Sequence, residues 1–121
     1  DRYPVSKIGQ DELFRKKRER IDNVLRENSD TYALLYFYSP ECGYCVKQTP
    51  ILQYFIEETS WTIKPIDITT DQRAATRFNI QATPSLVMIK KNSKDWVYIS
   101  SGIISLSDIK ERLFKTITIK Q

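Results

Sequence analysis

The sequence predicts an α/β fold, a three-layer α/β/α sandwich around a mixed four-stranded sheet. Three observations carry that expectation. The run YALLYFY (residues 32–38) is apolar or aromatic throughout and of strand length, the mark of a strand buried on both faces. Helix and strand patterns alternate from residue 11 to residue 80, which builds a parallel strand pair with a crossover helix. SLVMIK (85–90) and WVYIS (96–100) are two strand patterns joined by the polar turn KNSKD, which reads as a hairpin.

Taken in chain order, residues 1–10 lack periodicity and carry Pro4 and Gly9, so they read as a lead-in, with the domain proper expected over 11–121. From Asp11 the apolar positions Leu13, Phe14, Ile21, Val24 and Leu25 return at helical spacing, and the helix should stop at the turn-forming cluster ENSD. YALLYFY follows and ends at Ser39 and Pro40. VKQTPILQYFIEETS (46–60) is a helix with Val46, Ile51, Leu52, Phe55 and Ile56 expected on one side and Pro50 inside it, where it should kink the axis. WTIKPIDI (61–68) is a strand whose Pro65 places it at an edge, because proline donates nothing to a ladder. TDQRAATRFNI (70–80) is a short helix capped by Thr70 or Asp71. After the hairpin, Gly102 breaks the pattern. The last helix turns Leu106, Ile109, Leu113 and Ile117 inward, with Ser105 or Ser107 as its cap.

The chain has 121 residues, enough for one core and not two. Its net charge is +4, and much of the excess lies in RKKRER (15–20). Acids flank that run and no aromatics interleave with it, so it reads as a solvated helix face, braced by the i,i+4 pairs Asp11–Arg15 and Arg15–Glu19. No nucleic-acid partner follows from it. No apolar run approaches the roughly 20 residues of a membrane span. The chain opens on DRYPVSK without a leader pattern, which decides nothing about its compartment.

Both cysteines lie in SPECGYC (39–45), and there is no histidine. The pair can be a metal half-site, a staple or a redox centre. Zinc needs about four ligands, or three and a water, and two thiols fall short. The loop between the cysteines is too short to restrict the unfolded chain much, so it makes a poor staple. Redox exchange suits the context better, since the pair lies where a strand hands over to a helix. A Cys42 sulfur at the helix start would meet free backbone N–H groups and the positive end of the macrodipole, which lowers a thiol pKa from its usual ~8.5. Cys45, nearly a turn further on, is placed to attack a mixed disulfide on Cys42. The residues favour exchange and leave the alternatives open. Further along, NIQATPSLVMI puts Thr83-Pro84 at a strand entrance, where the peptide bond can be cis or trans.

Together, CGYC after an apolar strand, Pro50 five residues beyond the second cysteine, ATP before a strand and Gly102 before the last helix resemble the thioredoxin superfamily over about residues 31–114. The resemblance implies a thioredoxin fold, Cys42 as nucleophile and Cys45 as resolving thiol. It also implies a cis-proline loop at Thr83 and Pro84, packed against the sulfurs and keeping metal from them. Gly43, Tyr44, Thr83 and Pro84 would contact an extended substrate segment. No cofactor and no metal are implied.

Departures matter as well. Tyr36 and Pro65 stand where thioredoxins keep a buried Asp and a Lys, and Glu41 replaces the Trp beside the first cysteine. Those changes point away from a general thioredoxin-type reductase. Gly43-Tyr44 and Thr83 resemble the catalytic domain of DsbC-type disulfide isomerases, and YALLYFYSPECGYC is similar to the TraF/TrbB proteins of conjugative transfer. The reading is a thiol–disulfide oxidoreductase, a reductase or isomerase of protein disulfides in an oxidising compartment such as a bacterial periplasm. Its partners would be disulfide-containing client proteins and an unidentified redox partner. The competing reading is a thioredoxin-fold binding or assembly module of a secretion or conjugation apparatus, docking through the basic first helix.

Overall fold

The computed structural model describes residues 2–119. In order the elements are α1 (Arg2–Glu27), β1 (Tyr32–Tyr38), α2 (Gly43–Thr59), β2 (Thr62–Asp67), α3 (Gln72–Arg77), β3 (Ser85–Lys90), β4 (Trp96–Ser101) and α4 (Leu106–Ile119). The strands form one sheet in the order β2-β1-β3-β4. β1 runs parallel to β2 and antiparallel to β3, and β3 and β4 form the hairpin, with a bulge at Leu86/Val87. Pro65 does lie on an edge strand.

Side chains alternate across β1. Tyr32, Leu34 and Tyr36 join the larger core with Leu86 and Met88, while Leu35 and Phe37 join Val87, Ile66 and Phe78 on the opposite face. Three long helices supply the larger core: Ile21 and Leu25 from α1, Leu52 and Phe55 from α2, and Ile109, Leu113 and Ile117 from α4. Among the described residues only the six-residue α3 and its flanking loops cover the other face. The third layer is therefore thin. Cross-links tie the long helices together: Trp61 Nε1 donates to the Leu25 carbonyl (2.7 Å), Arg26 Nη1 to the Glu58 carbonyl (3.2 Å), and Lys110 pairs with Asp22 (2.9 Å) and Glu58.

Four expectations need correction. The lead-in expected over residues 1–10 is helical from Arg2, so the boundary expected at Asp11 falls inside α1. Pro4 is compatible with that because backbone N–H groups in a first turn have no helical partner anyway. Asp1, Lys120 and Gln121 lie outside the described residues. Secondly, Leu13 and Phe14 do not turn inward; they are 68% and 65% exposed, whereas Ile21 and Leu25 further along α1 are buried in the core. Thirdly, Arg15 pairs with Glu12 and Glu19 rather than with Asp11. Fourthly, α2 buries Cys45, Gln48, Leu52, Phe55 and Thr59, leaving Val46 and Ile56 exposed. Burial of Cys45 fixes the rotation of the helix about its axis, and that rotation carries Val46 into solvent. Among the described residues no helix is long and apolar enough to cross a membrane.

Candidate active site at the start of the second helix

The site begins as a turn. Ser39, Pro40 and Glu41 lead from β1 to α2, and the Cys42 N–H donates to the Ser39 carbonyl (3.2 Å), with Pro40 at the position of a turn where its fixed φ is favoured. Cys42 is the N-cap of α2: its Sγ accepts from the Cys45 N–H at 3.1 Å. That is the place of a serine or aspartate cap, filled by sulfur. In this structure Cys42 and Cys45 are disulfide-bonded, with Cα atoms 5.2 Å apart. Cys42 is half-buried, whereas Cys45 is 4% exposed and part of the larger core.

Between them Gly43 is exposed, and a Cβ added to it would meet nothing within 4 Å. Tyr44 is 61% exposed, with the Lys47 ammonium 6.0 Å from its ring centroid. The surface beside the disulfide is thus open on the Gly43 side and aromatic at Tyr44.

The Thr83–Pro84 loop reaches the same end of the sheet. Its peptide bond is cis. Ser85 pairs with Phe37 on one side and Ser101 on the other, so Pro84 lies one residue beyond the sheet, level with the end of β1 from which the cysteine turn departs. Pro84 is buried and Thr83 half-buried. The Pro84 carbonyl accepts from the Gly102 N–H (2.7 Å), and Gly102 has φ +89°, a conformation that a Cβ disfavours. Topology therefore brings all six sequence-predicted residues, Cys42, Gly43, Tyr44, Cys45, Thr83 and Pro84, to one end of the sheet.

Two residues beyond those six support the site, and the first, Gln48, escaped the sequence reading. Gln48 is fully buried on α2; its amide donates to the Ile104 carbonyl (3.1 Å) and its carbonyl accepts from the Ile104 N–H (2.9 Å). Gln48 thereby ties the cysteine helix to the segment after Gly102, which in turn holds Pro84. The signal was a lone amide three residues after Cys45, on the helix face that Cys45 itself defines. Tyr36, register partner of Pro65, donates its hydroxyl to the Cys45 carbonyl (3.0 Å) and lies 3.2 Å from the Thr49 hydroxyl. Burial pushes the Tyr36 phenol pKa up, and the Thr49 hydrogen bond partly opposes that shift.

A sequence profile of the family described as "TraF: F plasmid transfer operon protein" matches residues 1–114. The chain belongs to the TraF family. Among curated proteins, the chain is similar to thioredoxins and to a protein disulfide-isomerase. It is similar to mouse protein disulfide-isomerase A5 (31% identical over 65% of this chain) and to Arabidopsis thaliana thioredoxin Y2 (29% over 84%). Haemophilus influenzae thioredoxin is 34% identical over 52% of the chain. The matches span 16%, 60% and 61% of those relatives' own lengths.

Solved structures agree on the thioredoxin fold. Chloroplastic thioredoxin z superposes with a TM-score of 0.61 at 22% identity, over 80% of this chain and 87% of that one. A malaria parasite thioredoxin-2 gives 0.63 at 18%, over 70% and 82%. The TraF-family chain described here carries the thioredoxin fold and keeps both cysteines at its strand-to-helix junction.

Proposed function

We propose that this TraF-family chain is a thiol–disulfide oxidoreductase acting on protein disulfides, with Cys42 as nucleophile and Cys45 as resolving thiol. One observation carries the reading: the Cys42 sulfur caps α2 and accepts a backbone N–H, while the Cys45 sulfur lies buried behind it. In the reduced protein the same N–H group and the helix dipole favour a thiolate on Cys42. That thiolate attacks a client disulfide. A Cys42–client S–S bond forms, and one client sulfur leaves as a thiolate. The Cys45 thiolate then attacks the Cys42 sulfur, forming the Cys42–Cys45 disulfide and releasing the second client thiol, so the client gains two electrons. In isomerisation a client thiolate displaces Cys42 instead, and the pair ends as it began.

The exposed Gly43 and Tyr44 and the half-buried Thr83 supply the surface on which an extended client segment would lie. The Gly43-Tyr44 pair and Thr83 favour isomerisation or reduction of non-native disulfides. The family's link to plasmid transfer, together with disulfide chemistry, favours an extracytoplasmic site such as the periplasm, with a redox partner that resets the pair. A second reading, an assembly module, draws on the exposed basic run at residues 15–20 of α1.

The test separates them. A Cys45→Ser variant should trap a mixed disulfide with a scrambled client protein, and Cys42→Ser should trap none and lose activity. Full turnover by Cys42→Ser would sink the mechanism. Equilibration with glutathione buffers then gives direction: ~−120 to −200 mV suits oxidation or isomerisation, and ~−270 mV a reductase. A pair inert to glutathione would leave the assembly module.

A further inference from the structure

The thinly covered face of the sheet holds a cavity of about 600 Å³, on the side opposite the cysteines. Its floor is apolar: Leu35, Ile66 and Ile89. One wall is aromatic, with Trp96 set edge-on to Phe78 at 5.1 Å between ring centroids. Trp96 is 40% exposed, so a large aromatic surface faces the opening. Around the rim stand Lys64, Arg73, Arg77 and Lys94, all exposed. None of these four enters a salt bridge among the described residues. Two carboxylates also line the cavity. Asp71 is engaged as the N-cap of α3, accepting from the Ala74 N–H at 3.1 Å, and Asp95 sits at the hairpin turn. Four cations against two acids leave the lining at a formal +2.

We propose that this cavity binds a small organic anion with a planar ring: the ring lies against Trp96 over the apolar floor, and the anionic group is held by the rim cations, Arg77 among them, whose guanidinium stands over the buried Phe78 ring at 5.3 Å. The size falls in the usual range of small-molecule sites, roughly 300–1,000 Å³. A flat ring satisfies the aromatic wall without needing a hydrogen-bond partner there. The anion gives Lys64 and Arg77 the counter-charge that the chain does not supply. Neither half of such a ligand would suffice alone. An inorganic anion gains only weak, screened pairing at an exposed rim, and an uncharged ring forgoes that pairing altogether.

The two tryptophans make the test direct. The Trp61 indole is 1% exposed and donates to the Leu25 carbonyl, so its N–H resonance serves as an internal reference, while Trp96 reports on the cavity. The full chain is titrated with 2-naphthalenesulfonate, with 2-naphthylmethanol and with inorganic sulfate, following both indole N–H signals by NMR. The expected result is a saturable shift of Trp96 alone with the sulfonate, at least tenfold tighter than with either of the others. Lys64→Gln combined with Arg77→Gln should weaken sulfonate binding about tenfold while both indole signals stay dispersed, which reports an intact fold. The proposal is overturned by any of three results: Trp96 unmoved by millimolar sulfonate, equal affinity for sulfate or the neutral alcohol, or unchanged binding by the folded double variant.

Discussion

Tyr36 occupies the position beside the buried cysteine, and its hydroxyl serves the backbone: it donates to the Cys45 carbonyl, which also accepts from the Thr49 hydroxyl at 3.0 Å. Tyr36→Phe keeps the ring and removes one hydrogen bond from a carbonyl that retains another side-chain donor. The expected loss at neutral pH is about 0.5–1.5 kcal/mol. The pH dependence has a definite sign. Burial raises the folded phenol pKa above its unfolded value, so the folded state holds the proton more tightly. That contribution is complete below the unfolded value of about 10 and is lost as pH rises through the higher folded value. Urea unfolding from pH 7 upward should show wild type losing its advantage over Tyr36→Phe once the pH passes 10. A constant difference across that range would mean that the phenol is not desolvated.

Among the elements, α1 divides into halves with different consequences. Residues 9–20 are exposed, whereas Ile21 and Leu25 are buried among the side chains of α2 and α4. Ile21→Ala should cost ~2–5 kcal/mol, and Phe14→Ser should stay within about 0.5 kcal/mol, both read by urea unfolding. A large loss at Phe14 would show that the first half of α1 is packed in solution. The same helix marks how far the sequence could be read. YALLYFY gave its strand end to end, Pro65 its edge and the Thr70–Asp71 pair the cap of α3, because each signal is local: burial on both faces, a missing donor, a side chain turned back on its own helix. Phe14 and Val46 were misjudged because helical spacing reports only that apolar residues share a stripe. Where the stripe points depends on what lies opposite it. For α1 the core is met at Ile21 and Leu25 rather than at Phe14, and for α2 the buried Cys45 sets the rotation. For Gln48 it was the partner that could not be read, for the converse reason, since Ile104 lies 56 residues away.

For the whole molecule, the redox state of the pair and the stability of the fold are linked. Oxidation closes a short loop, with a sequence separation of 3, and restricts the unfolded chain by about 2 kcal/mol in the chain-entropy account. Reduction gives up that restriction, and under the proposed mechanism it frees Cys42 to ionise at the open start of α2, where the backbone N–H that caps its sulfur would favour the charge. Each unit by which the fold lowers that thiol pKa contributes about 1.4 kcal/mol to the reduced form. A depressed folded pKa acts in one direction: its contribution is full above the unfolded value of about 8.5 and disappears as pH falls through the folded value. The oxidised chain should therefore be the more stable in acid, and its lead over the reduced chain should shrink as pH rises towards 8.5. Urea unfolding of both redox forms at matched pH measures this directly, because a two-electron potential difference of 30 mV between folded and unfolded pairs equals about 1.4 kcal/mol of stability. A lead that vanishes or reverses by pH 8.5 describes a fold that favours its own reduced state, as isomerisation of client disulfides requires. A lead that stays flat across the range would mean that the start of α2 does nothing for the Cys42 thiolate, and the attack on client disulfides would lose its physical basis.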